Sequence, residues 1–261
     1  ASDARYAARD RSTNRETVDP EVKGDNGISA FELMVSLYAD DGAFLFTYRK
    51  DLEVGTNILV KLFKRFGMQM HIGSDDKKSK TEFTCFSKGG QNPFGGQSKL
   101  PVSIFDDAGE KIGIVTHTPD FVYLGTAIAD DLDDTIAVKL RIGQAQGMFS
   151  KLEKCLFKSK DFPLKLKSRL YSALILSVLL YGSESWCTTG KHIQLLNAFH
   201  HRCVRSMTGS SIFAFQRTSK LLKKLGLPTI ESLVGSRFLN WLGHVARLPE
   251  TSFQRKLLTS F

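Results

Sequence analysis

Residues 31–46 read FELMVSLYADDGAFLF, so two apolar runs meet at the adjacent carboxylates Asp40 and Asp41. Each run has the composition of a β-strand, and together they predict a hairpin that points both carboxylates toward a divalent metal. The simpler interpretation is an ordinary turn, because Gly42 follows Asp41 and Asp-Gly is among the strongest short turn signals. From these residues alone both interpretations stay open.

Adjacent aspartates also occur elsewhere in the chain, so the pair by itself carries little information. The other pairs are Asp75 and Asp76, Asp106 and Asp107, Asp130 and Asp131, and Asp133 and Asp134. They lie among Gly, Ser, Lys and Asp residues, where a loop or a helix cap is expected. Only the pair at 40 and 41 has long apolar flanks on both sides. This feature distinguishes it from the other four pairs.

The sequence after the pair predicts a helix and then a short strand. Asp51 opens a helix that ends at Gly67, with apolar positions at Leu52, Ile58, Leu59, Leu62, Phe63 and Phe66. Residues 68–72 predict the short strand, and residues 78–83 read KSKTEF.

Five blocks of the sequence resemble, in order, the reverse transcriptases of non-long-terminal-repeat retrotransposons. Residues 38–41 (YADD) resemble their metal-binding hairpin, and residues 51–86 resemble the next block of the polymerase palm. Residues 121–125 (FVYLG) look like the hairpin that grips the primer. Residues 179–186 (LLYGSESW) match a thumb-like stretch, and residues 238–247 (FLNWLGHVAR) resemble a recurrent C-terminal block.

The resemblance implies an RNA-directed DNA polymerase with RNA template, DNA primer and deoxynucleoside triphosphates as partners. Asp40 and Asp41 would hold Mg²⁺ or Mn²⁺ for two-metal nucleotidyl transfer, and Tyr38 would lie under the primer terminus. Lys80 would lie near the nucleotide phosphates and protonate the leaving pyrophosphate, although a surface lysine in a charged loop is an equally open interpretation. The residues implied to grip the primer are Phe121, Tyr123, Leu124 and Gly125.

The chain also departs from that family. A third aspartate on an earlier strand and a glycine-rich nucleotide-binding block are not visible, since no upstream aspartate follows an apolar run. We therefore expect an α+β fragment that is inactive alone: a polar, poorly ordered remnant at 1–30, a partial palm at 31–127 and an all-helical thumb-like region at 128–261. The family acts on chromosomal DNA, which favours a nuclear location.

Positive charge is concentrated in the C-terminal half. Residues 1–134 hold 16 Lys and Arg against 22 Asp and Glu, and residues 135–261 hold 20 against 5, giving net charges of −6 and +15 within the total of +9. Such a field predicts binding to a phosphate backbone that weakens with salt. The alternative function is therefore a non-catalytic nucleic-acid-binding module from a decayed element. Candidate contacts are Lys151, Lys154, Lys158, Lys160, Lys165, Lys167, Arg169, Arg202, Arg205, Lys220, Lys223 and Lys224.

The pattern of this half predicts helices throughout. Asp133 and Asp134 start the first, Pro163 opens a second that runs to about Tyr181, and Thr188 and Thr189 can cap a third. A helical pair follows, from Ser219 to Leu225 and then from the cap Thr229. This pair could read a nucleic-acid groove, but its second helix is so apolar that we expect it, including Trp241, to be mostly buried.

The cysteines and histidines predict no metal centre. The four cysteines, at Cys85, Cys155, Cys187 and Cys203, form no Cys-x-x-Cys pair and indicate free thiols in a reducing compartment. Cys187 and Cys203 lie near His192, His200 and His201, but this spacing fits no common zinc pattern, and helix-surface histidines are the simpler explanation. The most apolar segment, residues 170–181, is too short to span a bilayer, and we expect no membrane partner.

Overall fold

A computed structural model describes residues 35–38, 41–74, 79–86, 99–210 and 216–259, and the backbone of four two-residue strands before them. Its architecture is mixed α and β, as the sequence predicts. Two compact units form: a sheet unit of residues 1–125, 129–132 and 260–261, and a helical unit of residues 126–128 and 133–259. Most of the predicted polar remnant at 1–30 lies outside the described residues.

The strands form small sheets. In chain order they are β1 Ala8–Arg9, β2 Glu16–Thr17, β3 Val22–Lys23, β4 Ser29–Ala30, β5 Val35–Tyr38, β6 Asp41–Phe44, β7 Glu82–Phe83, β8 Val102–Phe105, β9 Lys111–His117, β10 Asp120–Tyr123 and β11 Thr126–Ala129. Within the described residues these strands form two- and three-stranded sheets, in the orders β1-β2, β3-β4, β5-β6, β7-β9-β8 and β10-β11. All these pairings with a described register are antiparallel except that of β7 with β9.

The helices lie mainly in the C-terminal half. They are α1 Arg49–Arg65, α2 Thr135–Leu152, α3 Leu164–Leu170, α4 Ser177–Leu179, α5 Gly190–Thr208, α6 Thr218–Leu225, α7 Ile230–Ala246 and α8 Phe253–Thr259. Two π-helical segments, Glu153–Phe157 and Tyr171–Leu176, continue α2 and join α3 to α4, and a 3₁₀ turn spans Ser183–Ser185. Within the described residues, no helix is both long enough and apolar enough to cross a bilayer.

The core of the sheet unit lies between α1 and the three-stranded sheet. Phe83, Val102, Ile104 and Val115 are buried there, and Leu52 and Val60 of α1 pack against them. Since β8 is an edge strand, its backbone groups need partners. Asn57 of α1 provides two: its amide donates to the carbonyl of Ser103 at 3.1 Å, and its oxygen accepts from the N–H of Phe105 at 2.7 Å.

The predicted helix in this unit is confirmed, but the strand predicted after it is wrong. Helix α1 begins at Arg49, and the chain leaves it through Gly67, whose φ of +73° suits glycine. Residues 68–72 form no strand, and the isolated bridge of Gly73 with Ile114 follows them. The backbone is diverted by local bonds, because the N–H of Ile72 donates to the carbonyl of Met70 at 3.1 Å.

One large apolar cluster holds the helical unit together. Phe157 stacks on Phe149 with ring centroids 4.7 Å apart, and Tyr171 meets both rings edge-on. Leu179, Leu180, Trp186 and residues of α5 and α6 complete the cluster. Complete burial of aromatic rings of this size makes them major contributors to stability.

The predicted starts of the helices in this unit are confirmed. Asp133 accepts from the backbone N–H of Thr135 at 2.8 Å, and Pro163 precedes α3. Thr189 caps α5 in a reciprocal pair with His192, and Thr229 caps α7 by accepting from the N–H of Ser232 at 3.3 Å.

The prediction that α7 is mostly buried is wrong. Its first half packs on the main cluster through Ile230, Leu233 and Val234, but the cluster does not extend to the middle of the helix. Phe238 is therefore 44% exposed and Trp241 is 39% exposed. The apolar composition of α7 predicted burial. The main cluster, however, packs against its first half and leaves these side chains partly exposed.

Candidate polymerase-like hairpin and basic helical surface

The hairpin around the aspartate pair reverses direction between Tyr38 and Asp41. These two residues are directly paired, and Leu37 pairs with Gly42, so β5 and β6 are joined by the two residues Ala39 and Asp40. Gly42 consequently lies inside β6 and has no positive φ, which does not fit the interpretation of Asp41 and Gly42 as the turn. Asp40 itself lies outside the described residues.

Both described residues of the YADD block are accessible. Tyr38 is 54% exposed, and Asp41 is exposed at the start of β6. Among the described residues, no group of three or more His, Cys, Asp and Glu side chains is placed to hold a metal ion. Asp40 is not among those residues. The donor chemistry of Asp41 fits Mg²⁺, because an exposed carboxylate can share the ion with water and substrate oxygens.

A second aspartate pair, Asp106 and Asp107, has a different role. Asp106 accepts from the N–H groups of Ala108 at 2.9 Å and Glu110 at 2.8 Å, which closes the turn between β8 and β9. Asp107 lies 3.0 Å from the Lys61 ammonium, and the hydrogen bond and charge of that lysine lower the pKa of Asp107. The Asp106 carboxylate therefore stabilises the turn, and the Asp107 carboxylate forms an ion pair.

The predicted primer-gripping hairpin turns tightly at Leu124 and Gly125. Both residues have positive φ, +48° and +79°, as a two-residue turn of this kind requires. Glycine adopts this conformation readily, whereas an L-residue such as leucine is strained in it by about 1–2 kcal/mol. Phe121 is half-buried in the preceding strand.

In the structure this hairpin contacts the predicted metal-binding hairpin. The hydroxyl of Tyr123 lies 3.3 Å from Oγ of Ser36, a residue 87 positions earlier in the chain and two before Tyr38. The two blocks that the sequence predicts to act together therefore touch through side chains of β5 and β10.

Lys80 lies on a loop whose backbone is fixed by His71. The N–H of Lys80 donates to Nδ1 of His71 at 3.1 Å, and Ser79 and Thr81 both donate to the His71 carbonyl. The Lys80 side chain is exposed. Its predicted role at the nucleotide phosphates stays a prediction.

Exposed basic side chains follow one another from the end of α2, through the π segment and the loop after it, to α3. These are Lys151, Lys154, Lys158, Lys160, Lys165 and Arg169. Helix α6 joins them, because the Ser168 hydroxyl donates to the Leu225 carbonyl at 2.6 Å and thereby fixes Arg169 beside the end of α6. Lys220, Lys223 and Lys224 on α6 are exposed. We call these nine residues the basic surface.

Lys167 was predicted to contact nucleic acid, and the structure contradicts this prediction. Its side chain is only 5% exposed, and its ammonium donates to the Ser159 carbonyl at 2.5 Å. The lysine thus ties α3 to the loop before it, and its charge is not presented to a phosphate. Periodicity did not distinguish it, since Lys165 and Arg169 on either side are both exposed.

The interpretation of the histidines as helix-surface residues is wrong for two of them. His192 is buried and lies 3.0 Å from the Asp133 carboxylate and 2.9 Å from the Thr135 hydroxyl. His200 is fully buried and shares a 2.8 Å hydrogen bond with the Tyr171 hydroxyl.

Burial dominates the electrostatics around His200. It lowers the pKa of His200 to about 4, with a smaller contribution from His201, and it raises the pKa of Cys203 to about 12. Both groups are consequently neutral at pH 7, and Cys203 is an inert thiol. All four cysteines are free.

The sequence did not predict the exposed aromatic side chains of the helical unit. Tyr181 is 49% exposed, and with Phe238 and Trp241 it leaves large rings at the surface. A signal was present: apolar residues of α7 such as Leu239 and Leu242 extend around too wide an arc for one buried face.

Comparisons with protein-family models, with curated proteins and with solved structures found no match to this chain.

Proposed function

We propose that this chain carries palm and thumb elements of a reverse transcriptase of the non-long-terminal-repeat retrotransposon type. Its reaction in a complete polymerase is the joining of a deoxynucleotide to a primer 3′-hydroxyl on an RNA template. The sheet unit supplies the metal-binding and primer-positioning hairpins, and the helical unit supplies a basic surface for the nucleic-acid backbone.

The contact between Ser36 and Tyr123 is the observation that carries the proposal. A chance resemblance between residues 38–41 and a metal-binding hairpin gives no reason for residues 121–125 to lie beside it. The 3.3 Å approach of the two side chains instead links the blocks, as joint action on one primer terminus requires. The direct pairing of Tyr38 with Asp41 supports the proposal further, because it puts Asp41 at the first residue of β6, next to Tyr38 across the hairpin.

Asp40 and Asp41 would hold Mg²⁺ or Mn²⁺, which supplies charge neutralisation at the phosphates and a lower pKa of the primer hydroxyl. Tyr38, exposed beside them, would support the primer terminus, and Tyr123 with Leu124 and Gly125 would fix its position. Lys80 would serve the phosphates of the incoming nucleotide. Because no third aspartate is apparent, we expect the chain alone to position a primer but not to extend it.

Photo-cross-linking of the primer terminus tests this function. A primer annealed to an RNA template carries a photoreactive nucleotide at its 3′ end, and the cross-linked peptide is identified by mass spectrometry. The proposal predicts cross-links to residues 35–44 or 120–125 that increase with Mg²⁺. The Asp40→Asn and Asp41→Asn variants should lose the increase, whereas the matched control Asp106→Asn should retain it.

Cross-links confined to residues 135–256, unaffected by Mg²⁺ and by Asp40→Asn, would refute the polymerase proposal. They would favour the second candidate, a non-catalytic nucleic-acid-binding module. The basic surface is the observation behind that candidate, since it joins α3 to α6 with nine exposed cationic side chains. Robust Mg²⁺-dependent primer extension that Asp40→Asn abolishes would show that the polymerase function is right and that the chain is not inactive alone.

A further inference from the structure

Several aromatic side chains of the helical unit leave much of their surface exposed, and three of them, Tyr181, Phe238 and Trp241, belong to α7 and the turn beside it; we call these three the aromatic surface. The rings of Phe238 and Trp241 have centroids 6.3 Å apart and planes tilted by 35°. Exposed rings side by side are unusual on a soluble protein without a partner, because their burial would be favourable.

A specific hydrogen bond holds α7 next to Tyr181. The guanidinium of Arg237 donates to the carbonyl of Leu180 at 3.1 Å, so the residues that follow each of these in sequence, Phe238 and Tyr181, are brought to the same region. The Arg141 guanidinium lies 4.2 Å from the centre of the Tyr181 ring. Phe238 and Trp241 therefore sit on helix α7, and Tyr181 lies in the turn between α4 and the 3₁₀ segment, with its ring against Arg141.

The chain segment that carries Phe238 and Trp241 has an excess of positive charge. Between residues 237 and 256 the chain has Arg237, Arg247, Arg255 and Lys256 against a single acidic residue, Glu250, which pairs with Arg255 at 3.2 Å. Two further carboxylates belong to these elements: Glu184 on the 3₁₀ turn that packs against α7, and Glu231 in the first turn of α7. A ligand for this face should combine flat apolar rings with negative charge.

We propose that the aromatic surface binds single-stranded nucleic acid by stacking bases on Trp241, Phe238 and Tyr181. Rings provide stacking without base selection, and basic residues of the same segment, such as Arg247, meet the phosphates. The inference goes beyond the proposed polymerase and does not rest on it, since it uses no residue of the sheet unit.

Charge also argues against a second copy of the chain as the occupant. In a symmetric dimer the same patch would face itself and set the arginines of one copy against those of the other. A duplex is a poorer fit as well, because its bases are already stacked on one another and present no free faces. A single strand satisfies both the rings and the charge.

Trp fluorescence tests the inference directly. The chain has two tryptophans, and Trp186 is buried in the core, so Trp186→Phe leaves Trp241 as the reporter. Titration with a 12-nucleotide oligouridine or oligothymidine should quench Trp241, and part of the quenching should persist at about 0.5 M salt, where backbone contacts weaken. Trp241→Leu in the otherwise unchanged chain should weaken binding at that salt about tenfold.

The controls separate stacking from charge and from misfolding. Trp186 remains in Trp241→Leu, and its unchanged emission reports an intact core. Substitution of Lys223 and Lys224 by Gln should reduce the salt dependence of binding but not the quenching. Asp40→Asn should alter neither, so failure of the polymerase proposal leaves this result unchanged.

Saturable binding without Trp241 quenching, or equal affinity of Trp241→Leu at high salt, would overturn the inference. Equal quenching by a blunt duplex would overturn it too. Concentration-dependent dimerisation that Trp241→Leu abolishes would assign the aromatic surface to contact between copies instead.

Discussion

Acidification should destabilise the helical unit through His200. The side chain is fully buried against Tyr171, and burial lowers its pKa from 6.5 to about 4. In the unfolded chain the imidazole regains an ordinary pKa near 6.5. Below that value the unfolded state binds a proton that the folded state still excludes, so stability falls with pH until the folded-state pKa is passed.

The magnitude follows from the two pKa values. A difference of about 2.5 units corresponds to about 3 kcal/mol in full, of which about 2.5 kcal/mol should be lost between pH 7 and pH 4.5. His201 adds to the loss in the same direction, because burial also lowers its pKa. Carboxylates whose pKa is lowered, such as Glu153 and Glu231, lose their contribution at lower pH, below their ordinary values near 4.5.

Denaturant titrations of the full chain at pH 7 and pH 4.5 measure this loss, with the emission of buried Trp186 as the signal for the helical unit. Trp241→Phe serves as the background, so that Trp186 alone emits. His200→Gln can keep a hydrogen bond to Tyr171 but cannot ionise, and it should lose about 2.5 kcal/mol less than the parent on acidification. Equal losses in parent and variant would show that His200 is not held neutral by burial.

Three further substitutions test the packing and the local backbone. Phe157→Ala should cost about 3–5 kcal/mol in the free energy of unfolding, because the ring is fully buried, whereas Phe162→Ala at an exposed position should cost little; similar costs would contradict the described core. Thr189→Ala removes the cap of α5 and should cost about 1 kcal/mol by the same titration, and an equal effect of the neighbouring Thr188→Ala would argue against a cap. Leu124→Asn should stabilise the β10–β11 hairpin by about 0.5–1 kcal/mol, since asparagine tolerates positive φ better; slower amide hydrogen exchange would show it, and faster exchange would refute the strain.

Local sequence signals, which involve residues only a few positions apart, predicted the helix ends well. The caps Thr189 and Thr229, the start after Pro163 and the glycine that ends α1 all depend on neighbours within four residues. These signals are reliable because the hydrogen bonds that they predict form between residues close in sequence, whatever the rest of the fold.

Features that depend on distant partners were not predictable from the same patterns. The burial of Lys167 depends on the Ser159 carbonyl, and the burial of His200 depends on a ring 29 positions away. Trp241 is apolar and helical, as a core residue would be, but it is 39% exposed. The contact of Ser36 with Tyr123 spans 87 positions, and only the resemblance to a family suggested that these segments meet.

We propose above all that Asp40 and Asp41 bind the divalent metal of a polymerase. Broadening of amide NMR signals by Mn²⁺ in the full chain tests it most directly, since the turn at Asp106 and Asp107 provides a matched pair of aspartates within the same unit. The account predicts broadening around Tyr38 that disappears when Asp40 and Asp41 are both replaced by Asn. Equal broadening around Ala108, or broadening at Tyr38 that survives the double substitution, would contradict it.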